Sequence, residues 1–128
     1  MAGVRGLDHI NLRVPADLLE PVRAFYVEMV GLHDGFRPAM GSGSHGYWLY
    51  ADQSAVLHLS SGAADSATNR STGHFSHVAF ACADLDATSE RLEAAGVPHR
   101  TVVLDEDAQV QIFVIDPAGI TVELNFRR

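Results

Sequence analysis

Four side chains that commonly bind metal ions occupy matching places in the two halves of this sequence. His9 and His77 are 68 residues apart, and each lies in a short segment of alternating apolar and polar residues. His58 and Glu123 are 65 residues apart and lie in a second pair of such segments. Imidazole nitrogens and a carboxylate bind zinc, nickel, manganese, cobalt or iron, and can leave positions open for a substrate or water. The four residues therefore predict one divalent metal ion per site.

The sequence around these residues repeats with nearly the same spacing, which indicates a duplicated module. Residues 8–12 align with residues 76–80, and residues 16–18 align with residues 83–85. The offset shortens by three residues along the chain, as short loop deletions would cause. Two copies of one module, packed about a pseudo-twofold axis, would bring the four metal-type ligands together.

The first half of the chain predicts a strand, a helix and then further strands. Residues 7–14 alternate, so that His9, Asn11 and Arg13 share one face and the apolar residues share the other. Apolar residues at helical spacing follow, with Asp17 in position to cap the helix. The other features predicted here are Pro21 near the first helical turn, a helix end at Gly31, a possible strand near Phe36, and strands at 47–50 and 55–60.

The second half predicts the same order of elements. A strand at 77–82 carries His77 on its polar face, and Asp84 is expected to cap a helix that ends at Gly96. Strands are predicted at 100–104, 109–115 and 120–126. The sequence thus predicts one α+β domain over 1–128, with a first βαβββ module at about 5–61, a linker at about 62–73 and a second module at about 74–127.

Composition limits the classes of partner. The formal net charge of −7 argues against nucleic acid, because a phosphate backbone requires a basic surface. The single cysteine, Cys82, excludes an intrachain disulfide and fits a reducing compartment, so a cytoplasmic location is expected. No apolar stretch is long enough to predict a membrane span. A small molecule is therefore the expected partner.

Several motifs resemble the vicinal oxygen chelate superfamily, which includes glyoxalase I, methylmalonyl-CoA epimerase, fosfomycin-modifying enzymes, extradiol dioxygenases and bleomycin-resistance proteins. They are the strand at 7–14, the Phe-Tyr and Gly-Leu pairs at 25–26 and 31–32, the strand containing His77, and the closing residues 116–124. The resemblance implies paired βαβββ modules whose curved, cup-shaped mixed sheet surrounds one divalent metal, with the helices outside. It also implies a homodimer in which the modules often come from two chains.

By position, the resemblance implies that His9, His77 and Glu123 are the shared metal ligands. His58 falls where glyoxalase I has a glutamate ligand, so His58 is either a fourth ligand or a general acid/base. Direct coordination, or a close contact with a metal-bound water, is favoured. Glu123 is also a candidate catalytic base. The side chains assigned to substrate binding are Arg13, which is placed to hold an anionic group, Asn11, Gln111 and Asn125.

Three reactions compete at such a site. A lyase or isomerase would use the metal to stabilise an enolate or oxyanion on a substrate that chelates through vicinal oxygens. An extradiol-like iron dioxygenase fits the ligand triad, but Phe113 replaces the tyrosine of that family's signature, and only residues 105–107 stand where its histidine is expected. A non-catalytic binder of the bleomycin-resistance kind suits the negative charge but does not need all four ligands. The lyase or isomerase is favoured.

Overall fold

The computed structural model describes residues 3, 5–39, 45–62, 74–104 and 108–127. Within these residues the βαβββ order occurs twice, as predicted. Most of the predicted linker, at 63–73, and the acidic residues 105–107 lie outside the described residues. The first module contains β1 (Ile10–Val14), α1 (Ala16–Phe25), a π-helical turn (Tyr26–Val30), β2 (His33–Gly35), β3 (Gly46–Ala51) and β4 (Ser54–Ser61). The second contains β5 (His77–Cys82), α2 (Leu85–Ala94), β6 (Arg100–Leu104), β7 (Gln109–Ile115) and β8 (Thr121–Arg127).

The strands form two separate four-stranded mixed sheets, one per module, and no closed barrel is present among the described residues. The strand order is β1-β4-β3-β2 in the first sheet and β5-β8-β7-β6 in the second. Each module's first strand runs parallel to its last, while the other pairs are antiparallel. We call these sheet A and sheet B. The repeat inferred from the sequence is therefore a repeat of topology, and β1 and β5 occupy the same edge of their sheets.

Each sheet has an apolar face covered by helices and a second, open face. Leu49, Leu57 and Leu59 of sheet A are buried beside α1, together with Val22. In β1 the side chains alternate between exposed and covered positions, which confirms that the polar residues of this strand lie on the open face. The predicted separation of the candidate ligands from the helix-packed face thus holds in both modules.

The start of the first helix differs from the sequence prediction. Asp17 does not cap α1, because the helix begins at Ala16 with Pro15 in the capping position and without a capping side chain. Asp17 instead lies in the first turn, where its charge favours the positive end of the helix dipole. Pro21 lies further inside the helix than predicted. By contrast, the Asp84 side chain accepts a hydrogen bond from the Ala87 amide and caps α2 as expected.

The two modules contact one another on the helix side. The buried Tyr26 hydroxyl of the first module donates to Asp116 Oδ2 of the second at 2.6 Å. The Arg91 guanidinium of α2 donates to the Met29 carbonyl of the π-helical turn at 3.0 Å. These contacts join the covered faces of the modules and leave the open faces available. No helix in the described part of the chain has the length and apolar character needed to cross a membrane.

Candidate functional site

Glu123 and His77 form a close pair on the open face of sheet B. Glu123 lies on β8 and pairs in register with Ala79 of β5, two residues beyond His77. Glu123 Oε1 lies 3.3 Å from His77 Nε2. The carboxylate is 8% exposed, whereas the imidazole is 39% exposed. The pair therefore presents a nearly covered anionic oxygen beside an accessible ring nitrogen.

Amide side chains fix the second oxygen of this carboxylate. Gln111 Nε2 donates to Glu123 Oε2 at 3.1 Å, and Asn125 Nδ2 donates to the same oxygen at 3.0 Å. The Asn125 amide also donates to Gln109 Oε1 at 2.7 Å. Hydrogen bonds of this kind hold a carboxylate in one orientation. They leave Oε1, on the His77 side, as the oxygen with no amide donor among the described residues.

The residue before each first-strand histidine orients its ring in the same way in both modules. Asp8 Oδ1 lies 2.7 Å from His9 Nδ1, and Ser76 Oγ lies 2.9 Å from His77 Nδ1. A partner at Nδ1 fixes the ring orientation and leaves Nε2 for another ligand. These two residues were not predicted as site residues, although the repeat aligns Asp8 with Ser76 directly before the two histidines.

These contacts fit a divalent metal bound by His77 and Glu123. Metal bonds of roughly 2.0–2.2 Å to nitrogen and oxygen place adjacent donors about 3.0–3.6 Å apart at bond angles between right and tetrahedral. The 3.3 Å separation of His77 Nε2 and Glu123 Oε1 lies in this range. The fixed carboxylate oxygen and the partner at His77 Nδ1 are the outer contacts that metal ligands usually have.

A stack of three rings covers the corresponding part of sheet A. The His58 ring lies 3.7 Å from the His9 ring and 3.9 Å from the Trp48 ring, with interplanar angles of 16° and 7°. Trp48 and His58 are register partners on β3 and β4. The stack thus places both histidines predicted in the first module next to each other on the open face.

The parallel stack limits how His58 could bind a metal together with His9. The lone pair of an imidazole nitrogen lies in the ring plane, and a metal–nitrogen bond is about 2.0–2.1 Å long. With the two centroids 3.7 Å apart, an ion in the His9 plane lies farther than one bond length from His58. Coordination by both rings therefore requires one ring to rotate, and the role of His58 as a fourth ligand stays a prediction.

Burial lowers the pKa of His58, and the neighbouring His9 ring and Arg37 guanidinium lower that pKa further. A lowered imidazole pKa favours the neutral ring near neutral pH. Neutral imidazole is the form that binds a metal or accepts a proton. The environment therefore suits either of the roles predicted for His58.

A pocket of about 440 Å³ opens beside the ring stack. Its walls combine imidazole and indole rings with apolar and small polar side chains, and its one carboxylate among the described lining residues is Asp8. A volume of this order suits a small molecule rather than a macromolecule. The described lining residues are Leu7, Asp8, His9, Trp48, Ser54, Ala55, Val56 and His58.

The structure brings the predicted ligands together in two pairs rather than in one group of four. His9 meets His58 on sheet A, and His77 meets Glu123 on sheet B. Among the described residues, no group of three or more histidine, cysteine, aspartate or glutamate side chains could hold a metal ion within one chain. We call the two pairs half-site A and half-site B. The pseudo-twofold packing expected from the repeat is therefore not completed inside a single chain.

The residues predicted to bind substrate divide between the same two faces. Asn11 accepts a hydrogen bond from Ser60 on the open face of sheet A, and Arg13 lies against Gly62 at the end of that face. Gln111 and Asn125 belong to the amide network of half-site B. The assignment of all four residues to substrate binding stays a prediction. Among the residues not assigned from sequence, Trp48 and Gln109 also contribute to the half-sites.

Comparison with solved structures finds the same fold in proteins of low sequence identity. A glyoxalase family protein from Bacillus anthracis superposes with a TM-score of 0.79 at 22% identity, covering 100% of this chain and 99% of that one. Lactoylglutathione lyase from Agrobacterium tumefaciens gives 0.65 at 18% identity, covering 98% and 96%. A mutant of the fosfomycin resistance protein FosX from Listeria monocytogenes, complexed with Mn(II) and 1S,2S-dihydroxypropylphosphonic acid, gives 0.73 at 19% identity, covering 98% and 95%.

A search of curated protein sequences returns no match. The family profile described as Glyoxalase/Bleomycin resistance protein/Dioxygenase superfamily matches residues 6–124, nearly the whole chain. This match agrees with the duplicated βαβββ topology and with the solved structures that share it. The chain belongs to the glyoxalase/bleomycin resistance protein/dioxygenase superfamily.

Proposed function

We propose that this protein is a divalent-metal-dependent enzyme that acts on a small molecule with vicinal oxygens, as a lyase or isomerase. The observation that carries the proposal is half-site B, where two amides fix one oxygen of Glu123 and the other lies 3.3 Å from His77 Nε2. A buried carboxylate held in this way costs free energy unless a cation or donors compensate its charge. A divalent ion held by Glu123 and His77 would add to the compensation that the two amide donors supply.

The proposed site takes half-site B from one chain and half-site A from a second copy. In support, the open faces carry the half-sites, and β1 and β5 lie at matching sheet edges. Large apolar side chains precede both edge strands, with Leu7 84% exposed and Phe75 45% exposed. Leu7 and Phe75 are equivalent by the repeat, 68 residues apart. A homodimer that joined β1 of one chain to β5 of the other would cover both apolar residues.

In this dimer His9, His77 and Glu123 are the proposed ligands. A divalent ion bound there would act as a Lewis acid on chelating substrate oxygens and stabilise a developing enolate or oxyanion. His58, which the fold keeps half-buried and whose pKa is lowered, is the proposed acid/base group next to the pocket. Trp48 holds the His58 ring by stacking and supplies an apolar wall.

The two alternative functions, an iron dioxygenase and a binder of cationic drugs, differ from the proposed enzyme in the metal that they use and in the charge of the pocket that they need. The same three ligands suit iron in an extradiol-like dioxygenase, so iron in the purified protein would favour that reaction. A binder of cationic drugs needs an acidic cavity, whereas the described lining of the pocket has Asp8 as its one carboxylate, and Arg13 is exposed on the open face of sheet A. The charge distribution therefore favours the enzyme over such a binder. FosX, solved with Mn(II), is a relative in fold that supports a divalent metal.

The direct test is the metal content of protein purified without a metal-affinity tag. We expect about one divalent ion per chain in the wild type, and loss of most of it in Glu123→Ala, which removes the anionic ligand. Glu90→Ala is the matched control, because Glu90 is exposed on α2 and changes the charge equally. Equal metal content in Glu123→Ala, Glu90→Ala and wild type would overturn the metal site.

A further inference from the structure

The two glutamines of β7 reach across the open face of sheet B to β8 in the same way. Gln111 pairs in register with Asn125, yet its amide contacts Glu123, two residues earlier on β8. Gln109 pairs with Arg127, yet its amide contacts Asn125, again two residues earlier. Diagonal neighbours on paired strands are roughly 7–8 Å apart, a distance that long side chains span. The amides of the two strands therefore form a connected chain that ends at the Glu123 carboxylate.

The carboxylate determines which atom of each amide faces its neighbour. An ionised carboxylate only accepts hydrogen bonds, so the Asn125 atom that faces Glu123 Oε2 must be the amide nitrogen. That nitrogen carries two hydrogens, and its second neighbour is Gln109 at 2.7 Å. The Gln109 atom at this place must be its oxygen, because a nitrogen there would bring two donors together. The orientation of Asn125, and then of Gln109, thus follows from Glu123.

An unpaired oxygen indicates that the Asn125 amide is oriented for Glu123 rather than for its own hydrogen bonding. Asn125 Oδ1 is buried and accepts no hydrogen bond from the part of the chain that the structure describes. A buried acceptor without a donor destabilises a fold. Turning the amide over would place Oδ1 against Gln109 Oε1 and Glu123 Oε2, which are both acceptors. The amide therefore keeps one unpaired atom while both of its hydrogens point to oxygens.

Gln109 is well placed to hold this orientation because its side chain is buried. It is 8% exposed, although glutamine lies mostly at protein surfaces. Burial limits the competition of water for the hydrogen bond between Gln109 Oε1 and Asn125 Nδ2. Without Gln109 Oε1, the Asn125 nitrogen would lose one of the two contacts that oppose rotation of its amide.

We propose that Gln109 is a positioning residue of the metal site, which acts on Glu123 through Asn125. Its Oε1 holds the Asn125 amide with the nitrogen towards Glu123, where that amide shares Oε2 with Gln111. Glu123 then offers a metal its other oxygen, Oε1, on the side of His77. The inference rests on the proposed function, since the site that Gln109 supports is the proposed metal site.

The first test is calorimetric titration of the purified, metal-free chain with Zn(II) and, separately, with Mn(II). Gln109→Met keeps a side chain of similar length but lacks the amide oxygen, so it should weaken binding about 10-fold, as loss of an outer partner of a metal ligand does. Gln109→Glu keeps an acceptor towards Asn125 and should bind at least as tightly as the wild type. Gln53→Met is the matched control, because Gln53 is exposed in the turn before β4, and should leave the affinity unchanged.

A double variant separates action through Asn125 from a general structural effect. If Gln109 acts through Asn125, Gln109→Met should cause no further loss of affinity in the Asn125→Ala background. Weakening by the same factor in both backgrounds would overturn the proposal. Equal affinity in Gln109→Met and wild type would reject the positioning role alone, whereas a wild type that bound neither metal would reject the proposed function and the positioning role together.

Nitrogen–proton NMR of the metal-free protein gives a second measurement that needs no metal. The side-chain amide signals of Asn125 are assigned by their loss in Asn125→Ala. Gln109→Met should move one of the two proton signals upfield, because that proton loses its acceptor, while Gln109→Glu should keep it downfield. Unchanged Asn125 signals in Gln109→Met would overturn the proposal even if metal binding fell. Thermal unfolding of each variant separates these effects from loss of folding.

Discussion

Mixing two defective variants tests whether the metal site lies between chains. His9→Ala damages half-site A and leaves half-site B intact, whereas Glu123→Ala does the reverse. Within one chain the two half-sites lie on separate sheets and no described group of three ligands forms. In a mixed dimer with twofold symmetry of contacts, one site joins the two intact half-sites and the other joins the two damaged ones.

The expected magnitude follows from this arrangement. Random assembly of equal amounts of the two variants makes about half of the dimers mixed, and one of the two sites in each mixed dimer is intact. Metal binding should therefore recover to about a quarter of the wild-type content per chain, from near zero for either variant alone. The assay is metal content per chain after co-expression and gel filtration, with the unmixed variants carried through the same steps.

A second mixture of identical composition supplies the control. Wild type mixed with the double variant His9→Ala/Glu123→Ala contains the same number of each side chain. If the site lies between chains, this mixture should also bind about a quarter of the wild-type amount, because every mixed dimer is damaged at both sites. If the site lies within a chain, the first mixture should bind almost none and the second about half. That pair of results would refute the two-chain site.

Further predictions concern the groups around the site and the contact between modules. His58→Ala should keep the metal content while His9→Ala loses it, because parallel rings cannot share an ion; metal analysis of both checks this. Gln111→Leu should weaken metal affinity by about 10–100-fold, as measured by titration, because Glu123 loses an amide donor. Tyr26→Phe should lower the free energy of unfolding in urea by about 1.5–3 kcal/mol, since a buried carboxylate loses its donor. Burial raises the pKa of Asp116, so the folded protein keeps this carboxyl protonated to a higher pH than the unfolded chain does. The free energy of unfolding should therefore fall as pH rises from the ordinary aspartate pKa through the raised pKa. Asp116→Asn should remove that part of the pH dependence, as measured by urea unfolding.

Local patterns predicted most elements because the signals are themselves local. The strands His77–Cys82, Arg100–Leu104 and Gln109–Ile115 have the predicted bounds, as alternation and turn residues define them without distant contacts. The predicted start of α1 was wrong: Asp17 is a good capping residue by type, but the capping position lies two residues earlier, at Pro15, and the helix begins at Ala16. The first residue of a helix depends on the path of the chain between the preceding strand and the helix. Residue type alone predicts that boundary only to within one or two residues.

The repeat predicted the positions of the site residues but not how the modules would meet. Equivalence by sequence places His9 with His77 and His58 with Glu123. The structure keeps the same register in both modules, because Asn11, two residues after His9, pairs with His58, and Ala79, two residues after His77, pairs with Glu123. The contact between modules depends instead on long-range packing such as Tyr26 with Asp116, 90 residues apart. This contact lies on the helix side and leaves the two half-sites on separate sheets. The sequence therefore predicts the residues of each half-site but not that the half-sites lie apart within one chain.

Divergence after duplication gives the two half-sites different physical tasks. Half-site B holds a nearly covered carboxylate with amide donors, so its geometry is fixed and its charge is suited to a cation. In half-site A the position equivalent to Glu123 is His58, whose lowered pKa favours the neutral imidazole and whose ring stacks on the Trp48 indole. A pocket of about 440 Å³ lies beside this stack. Loss of a residue from half-site B should therefore appear first as loss of metal, whereas Trp48→Ala should keep the metal and weaken binding of a small molecule in the pocket. Equal loss of metal from Trp48→Ala and Gln111→Leu would contradict this division, since the indole stacks on His58 in half-site A and the Gln111 amide holds Glu123 in half-site B.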